Sequence, residues 1–197
     1  MIINLALIVV FLVVAGAVFR GGLLRGMVMF FNVLLAATFA TAWHETLATY
    51  LETYLGEYSN FLDVAAMWML FAVILIGLAV PTTLLVRPKV EFGAPIELIG
   101  SLLMGLLTAW TVTEFSSLSL HAAPLRSDVV PMPPQTMLFG LKPDRCWLWW
   151  VDGSSKNGPF AVVDRPFVAT GEDFLARHAA RRKALSGEPP PASPAAE

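Results

Sequence analysis

The side chains in this chain that could do chemistry are few, and their spacing decides what they can build. His44, His121 and His178 are far apart, and none has a second ligand-type residue at H-x-x-x-H or C-x-x-C spacing, so the pattern outlines no metal site. Cys146 is the single cysteine, which excludes an intrachain disulfide. Beside Trp147 it reads as a small packed apolar residue rather than a reactive thiol. Neither a phosphate-binding P-loop nor a G-x-S-x-G elbow is present, and Gly21, Gly22 and Gly26 lie between two apolar runs rather than after a strand. Two carboxylates, Glu97 and Glu114, sit at the ends of an apolar run. An ionisable group inside a bilayer is a functional candidate, but near a span end headgroups and water are within reach, which favours a structural role. The expectation is a protein without catalytic residues, metal or cofactor.

The elements that must carry these residues are membrane spans. Apolar residues make up 56% of the chain and charged residues 14%, against roughly 45–50% and 25% in soluble domains. The excess is concentrated before residue 120, where four Lys/Arg face seven Asp/Glu; beyond it the balance is nine to eight, the composition of a soluble tail. A net charge of -2 predicts no nucleic-acid partner.

Four apolar blocks predict spans at about 2–19, 27–43, 64–86 and 98–115 within a membrane domain covering 1–120. Ala15-Gly16-Ala17 resembles a cleavage site, but the amino end carries no Lys or Arg and a second span follows at once, so the first span is expected to be retained. Ala36, Ala37 and Ala40 mark a face for close helix packing, as does the pair Ser101 and Gly105 on the fourth span. Pro81 predicts a kink near the end of the third. Between spans 2 and 3, His44–Asp63 repeats apolar residues at helical spacing among Glu45, Glu52 and Glu57, with Tyr50, Tyr54 and Tyr58 four residues apart. That pattern predicts an amphipathic helix, lying at the interface or packed on the bundle. The fold class is therefore an all-α membrane protein: four transmembrane helices, an interfacial amphipathic helix between spans 2 and 3, and a small soluble tail with short helices.

Charge sets the orientation. Arg20 and Arg25 flank the turn after span 1, Arg87 and Lys89 follow span 3, and the connection between spans 2 and 3 has no Lys or Arg. The positive-inside rule places both basic loops in the cytoplasm and both termini on the outer, periplasmic side. No charge falls in the middle of a span, which weighs against a proton relay or ion-coupled transport.

The tail opens with a Pro-rich linker at 121–142. Residues 143–185 form the outer-side part, with Trp147, Trp149 and Trp150 suited to a partner or the membrane interface. Pro143-Asp144 favours a short helix there; a hairpin turning at Asp152-Gly153 and returning through Phe160–Val163 is the alternative. A second amphipathic helix is expected from Thr170, with Arg177, Arg181, Arg182 and Lys183 toward its end, and residues 186–197 are Pro/Ala-rich and expected to be disordered.

The turn Val18-Phe19-Arg20-Gly21-Gly22-Leu23-Leu24-Arg25 and the opening of span 4, Ile96–Gly105, resemble the two short elements of the colicin V production (CvpA) family of bacterial inner-membrane proteins. Glu97 stands where that family usually has Asp, and Leu98 where it often has Arg. The resemblance covers about residues 1–120. It implies Arg20, Gly21 and Arg25 on the turn and Glu97, Gly100 and Gly105 on span 4 as structural signatures, to which the charge and packing readings add Gly26, Arg87 and Lys89 as topology and packing residues. It also implies a non-enzymatic protein of the inner membrane that supports envelope homeostasis or toxin and secretion-linked processes. Such a protein works through oligomerisation or an envelope partner in the lipid bilayer; the alternative is a small channel or transporter subunit. Replacing both Arg20 and Arg25 by Glu should disturb insertion or invert part of the topology, measured by reporter fusions at each end; normal topology in that variant would refute the charge reading.

Overall fold

The structure, a computed structural model, describes residues 2–55, 59–85, 93–123 and 138–156, together with Leu175 and Ala180. Four long helices, α1 (Ile2–Phe19), α2 (Leu23–Leu55), α3 (Ser59–Leu85) and α4 (Ala94–Ala122), are followed by a 3-10 turn at Leu138–Gly140 and a short helix, α5 (Pro143–Lys156). Among the described residues there is no strand. The helices α2, α3 and α4 are each long and apolar enough to cross a membrane; α1 is equally apolar but shorter.

The helices follow backbone signals rather than the polarity of the segments. From Met27 to Leu55 there is no Gly or Pro, so nothing interrupts the i to i−4 ladder, and α2 runs through Trp43 and His44 as one helix of 33 residues. The segment 44–63 is therefore not a separate amphipathic element. Its first part is the far end of α2, and residues 59–63 open α3. Tyr50 and Tyr54 lie exposed on that end with ring centroids 5.5 Å apart; Tyr58 lies outside the described residues. Helix α4 likewise exceeds its apolar run at both ends. Its later hydroxyls fold back onto their own helix: Ser116 donates to the Val112 carbonyl at 2.6 Å and Ser117 to that of Glu114 at 2.8 Å. Helix α3 continues through Pro81 to Leu85, with the Thr82 hydroxyl donating to the Leu78 carbonyl at 2.7 Å.

Chain order is not packing order. Helix α1 packs chiefly against α4, α4 against α2, and α2 against α3, while α1 and α2 meet only near their shared turn. Small residues make these approaches possible. Ala36, Ala37 and Ala40 are completely buried on α2, where Met67 and Phe71 of α3 and Phe115 and Leu118 of α4 join them in one apolar core. A Cβ at Gly105 would lie 2.9 Å from the Ala15 carbonyl oxygen of α1, a contact that backbone would have to yield to.

Gly105→Ala should therefore destabilise the protein by about 1–3 kcal/mol. Gly16→Ala, where nothing lies within 4 Å of the added carbon, should be neutral or slightly stabilising. Thermal unfolding in detergent compares the two directly; equal midpoints would argue that α1 does not seat against α4 as described.

Candidate functional site

Two built regions stand at opposite ends of the bundle. The first is the turn between α1 and α2. Its geometry needs Gly22, whose φ of +82° lies in the left-handed region that residues with a Cβ rarely adopt. The chain closes with Gly21 N–H on the Val18 carbonyl at 2.9 Å and starts α2 with Gly26 N–H on the Gly22 carbonyl at 2.9 Å. The first backbone N–H of α2 has no partner within its own helix. Glu97, on the first turn of α4, supplies one: its Oε1 accepts the Leu23 N–H at 2.8 Å. The carboxylate thus faces the positive ends of two helix dipoles at once. Its Oε2 is buried without a hydrogen-bond partner among the described residues. Leu23 then packs onto Gly100, where a Cβ would meet its Cδ1 at 2.7 Å, and Gly26 packs onto Met104.

Several of the residues expected as topology and packing signatures lie together. Glu97 and Gly100 close on the turn, Gly26 and Gly105 let α2 and α1 approach α4, and Gly21 stacks against the stem of Arg25. Arg20 and Arg25 are exposed and line a cavity of about 660 Å³ with Asn32 and Thr82, which hydrogen-bond to each other at 2.9 Å. Arg87 and Lys89 lie outside the described residues.

The second region is the head made by α5. The Leu138 N–H donates to Asn4 Oδ1 at 3.2 Å, which seats the 3-10 turn over the amino end of α1. The chain then reverses through Gly140 and Lys142, both at positive φ, into Pro143 at the start of α5. The helix favoured for this stretch forms over Pro143–Lys156; the return strand of the hairpin alternative falls outside the described residues, as do residues 124–137 of the linker expected at 121–142 and nearly all of the tail beyond 156, while the linker's two ends instead close α4 and carry the 3-10 turn.

Trp147 faces inward. It is fully buried, its indole N–H donates to Thr41 Oγ1 at 3.0 Å, and its ring stands edge-on to Phe115 at 6.2 Å. Phe115 in turn stacks on Phe71 at 4.8 Å and meets Trp68 at 5.3 Å, so one aromatic cluster ties α3, α4 and α5. Trp150 is bound too, donating to Thr38 Oγ1 at 3.2 Å, while Trp149 is 78% exposed. An apolar ring reads alike whether it seats on a neighbour or on its own chain, so the composition of the cluster could not separate the three.

Polar contacts hold the same joint. His121, at the end of α4, faces Asp144 with Nε2 3.3 Å from Oδ2. Burial alone would push the Asp144 carboxyl up; the hydrogen bond and charge of His121, with the Arg145 backbone, hold it below the usual carboxylate range. Burial pushes the Cys146 thiol up, and the charges of Glu114 and Asp144 add to that. His44 is buried on α2 with Nδ1 2.7 Å from the Thr41 carbonyl, so the histidines at 44 and 121 both serve this end of the bundle. No cluster of three metal-ligating side chains occurs among the described residues.

No protein-family model, curated protein or solved structure matches the chain.

Trp147→Ala should cost about 3–5 kcal/mol of α5 docking, read as faster proteolytic cleavage of the tail in detergent. Because the Asp144 pKa is depressed in the folded state, its contribution is present above the ordinary carboxylate pKa and lost as pH falls through the folded value. Cleavage should therefore accelerate below about pH 4, and Asp144→Asn should flatten that dependence. A pH profile unchanged by the substitution would show that the His121–Asp144 contact does not hold α5.

Proposed function

We propose that this chain is a non-enzymatic scaffold of the bacterial inner membrane, akin to the CvpA proteins, with four spans and both termini outside. In this reading α1 is the first span despite its length, and the far ends of α2 and α4 rise past the bilayer to carry α5 as an outward head. The head presents Trp149, Tyr50 and Tyr54 to a second copy or an envelope partner, in support of envelope homeostasis or a secretion-linked process.

One observation carries the proposal. The two short elements behind the family resemblance lie 74 residues apart in sequence, yet they form a single joint through the Leu23 N–H and the Glu97 carboxylate. A joint of this kind fixes the relative placement of α1, α2 and α4 at their basic end. The same helices then deliver a packed head at the other end, an arrangement suited to holding something outside the membrane. The basic turn with Arg20 and Arg25 supports the cytoplasmic assignment of that joint.

Cys146 provides the test without an added probe, because it is the only cysteine and is exposed on α5. A membrane-impermeant maleimide should label it in intact cells whose outer membrane is opened, and Cys146→Ser should abolish the label. Labelling only after the inner membrane is permeabilised would put the head in the cytoplasm and overturn the orientation.

A further inference from the structure

Between α2, α4 and α5 lies a crevice of about 550 Å³ that the scaffold reading leaves unused. Its floor is apolar, formed by Phe30 and Leu34 of α2 and Leu107 of α4. Its lining also includes Glu114 of α4, Lys142 just before α5 and Arg145 on α5, which mark its mouth. Trp110 and Trp149 add aromatic faces to its lining.

Depth gives this arrangement its meaning. Measured from the joint at Leu23 and Glu97, Phe30 and Leu34 stand roughly 10 and 16 Å up α2, and Glu114 roughly 25 Å up α4, at 1.5 Å per residue. The hydrocarbon core is about 30 Å thick, so the floor lies at mid-core and the mouth near its far edge. A crevice that is apolar at mid-core and charged at the edge matches a molecule with a chain below and a headgroup above.

The charges narrow the headgroup. Among the described residues neither Lys142 nor Arg145 forms an ion pair, and neither comes within 4 Å of the Glu114 carboxylate although all three line one cavity. The space between them suits a group that carries both signs. An anionic headgroup would satisfy the two cations and leave the Glu114 carboxyl without a cationic partner. A headgroup with a phosphate and a primary ammonium answers both, the phosphate between Lys142 and Arg145 and the ammonium on Glu114 and the indole faces.

We propose that this crevice binds an amino-phospholipid of the surrounding bilayer, its acyl chain along Phe30, Leu34 and Leu107 and its phosphoethanolamine head between Glu114 and the cations of Lys142 and Arg145. The site needs only that the helices cross the membrane, in either orientation, so it stands apart from the scaffold reading.

Native mass spectrometry of the full chain, titrated with phosphatidylethanolamine and phosphatidylglycerol of identical acyl chains, tests it. The wild type should retain phosphatidylethanolamine about tenfold better, and Glu114→Gln should bring the two lipids to about equal retention. Lys142→Ala with Arg145→Ala should weaken both. Trp149→Ala, at an exposed position that folding does not need, should lower phosphatidylethanolamine retention severalfold and keeps the test open if a charge variant fails to fold. Equal retention of the two lipids by the wild type, or an unchanged preference in Glu114→Gln, would overturn the proposal. So would displacement by an equal concentration of soluble glycerophosphoethanolamine, which would show a water-soluble ligand in place of a lipid.

Discussion

A helix that begins inside or at the edge of a bilayer exposes N–H groups that water cannot reach, and the bundle is organised around how α2 meets that constraint. The turn after α1 is too short to cap α2 with its own side chains, since Gly21 and Gly22 have none. The acceptor comes from another helix: Glu97 closes on the Leu23 N–H from the first turn of α4. That single contact requires α4 to begin beside the start of α2. It also requires Leu23 to rest where Gly100 leaves room, and α1 to enter along the far side of α4, where Gly105 admits its backbone. Charge, helix dipoles and small residues reinforce one another at this end, and the order of packing, with α4 between α1 and α2, follows from it.

The opposite end is governed by unequal lengths. Helix α1 has 18 residues, α2 has 33 and α4 has 29, so the latter two run on past the amino end of α1. Their continuation would leave Phe115, Leu118 and Thr41 uncovered on one side. The 3-10 turn seated on Asn4 and the helix α5 fill that place, with Trp147 as the piece that enters the core. The tail is thus partly a component of the bundle and not an appendage joined to it.

Much of this was legible beforehand, for identifiable reasons. The apolar blocks, the alanine face of α2 and the Ser101–Gly105 pair are local patterns, and each is where the structure packs helices closely. The onset of charge near His44 suggests an end of the second span, yet α2 runs on to Leu55. A helix ends where its backbone ladder is interrupted, and the next residue able to do that is Gly56. His44 itself gave no local sign of burial; it is covered because α2 and its neighbours extend together.

By itself the sequence determined the helical, apolar character of the chain and the basic character of the α1–α2 turn, because these depend on residues close in the chain and on their cost of leaving water. Only the tertiary structure decided which partners those residues meet. That Glu97 caps α2, that Trp147 belongs to the core while Trp149 stays outside, and that Glu114 shares a crevice with Lys142 and Arg145 all depend on contacts between segments far apart in the chain. A carboxylate or an indole carries the same chemistry in every setting; which neighbour it meets is set by how the helices stack.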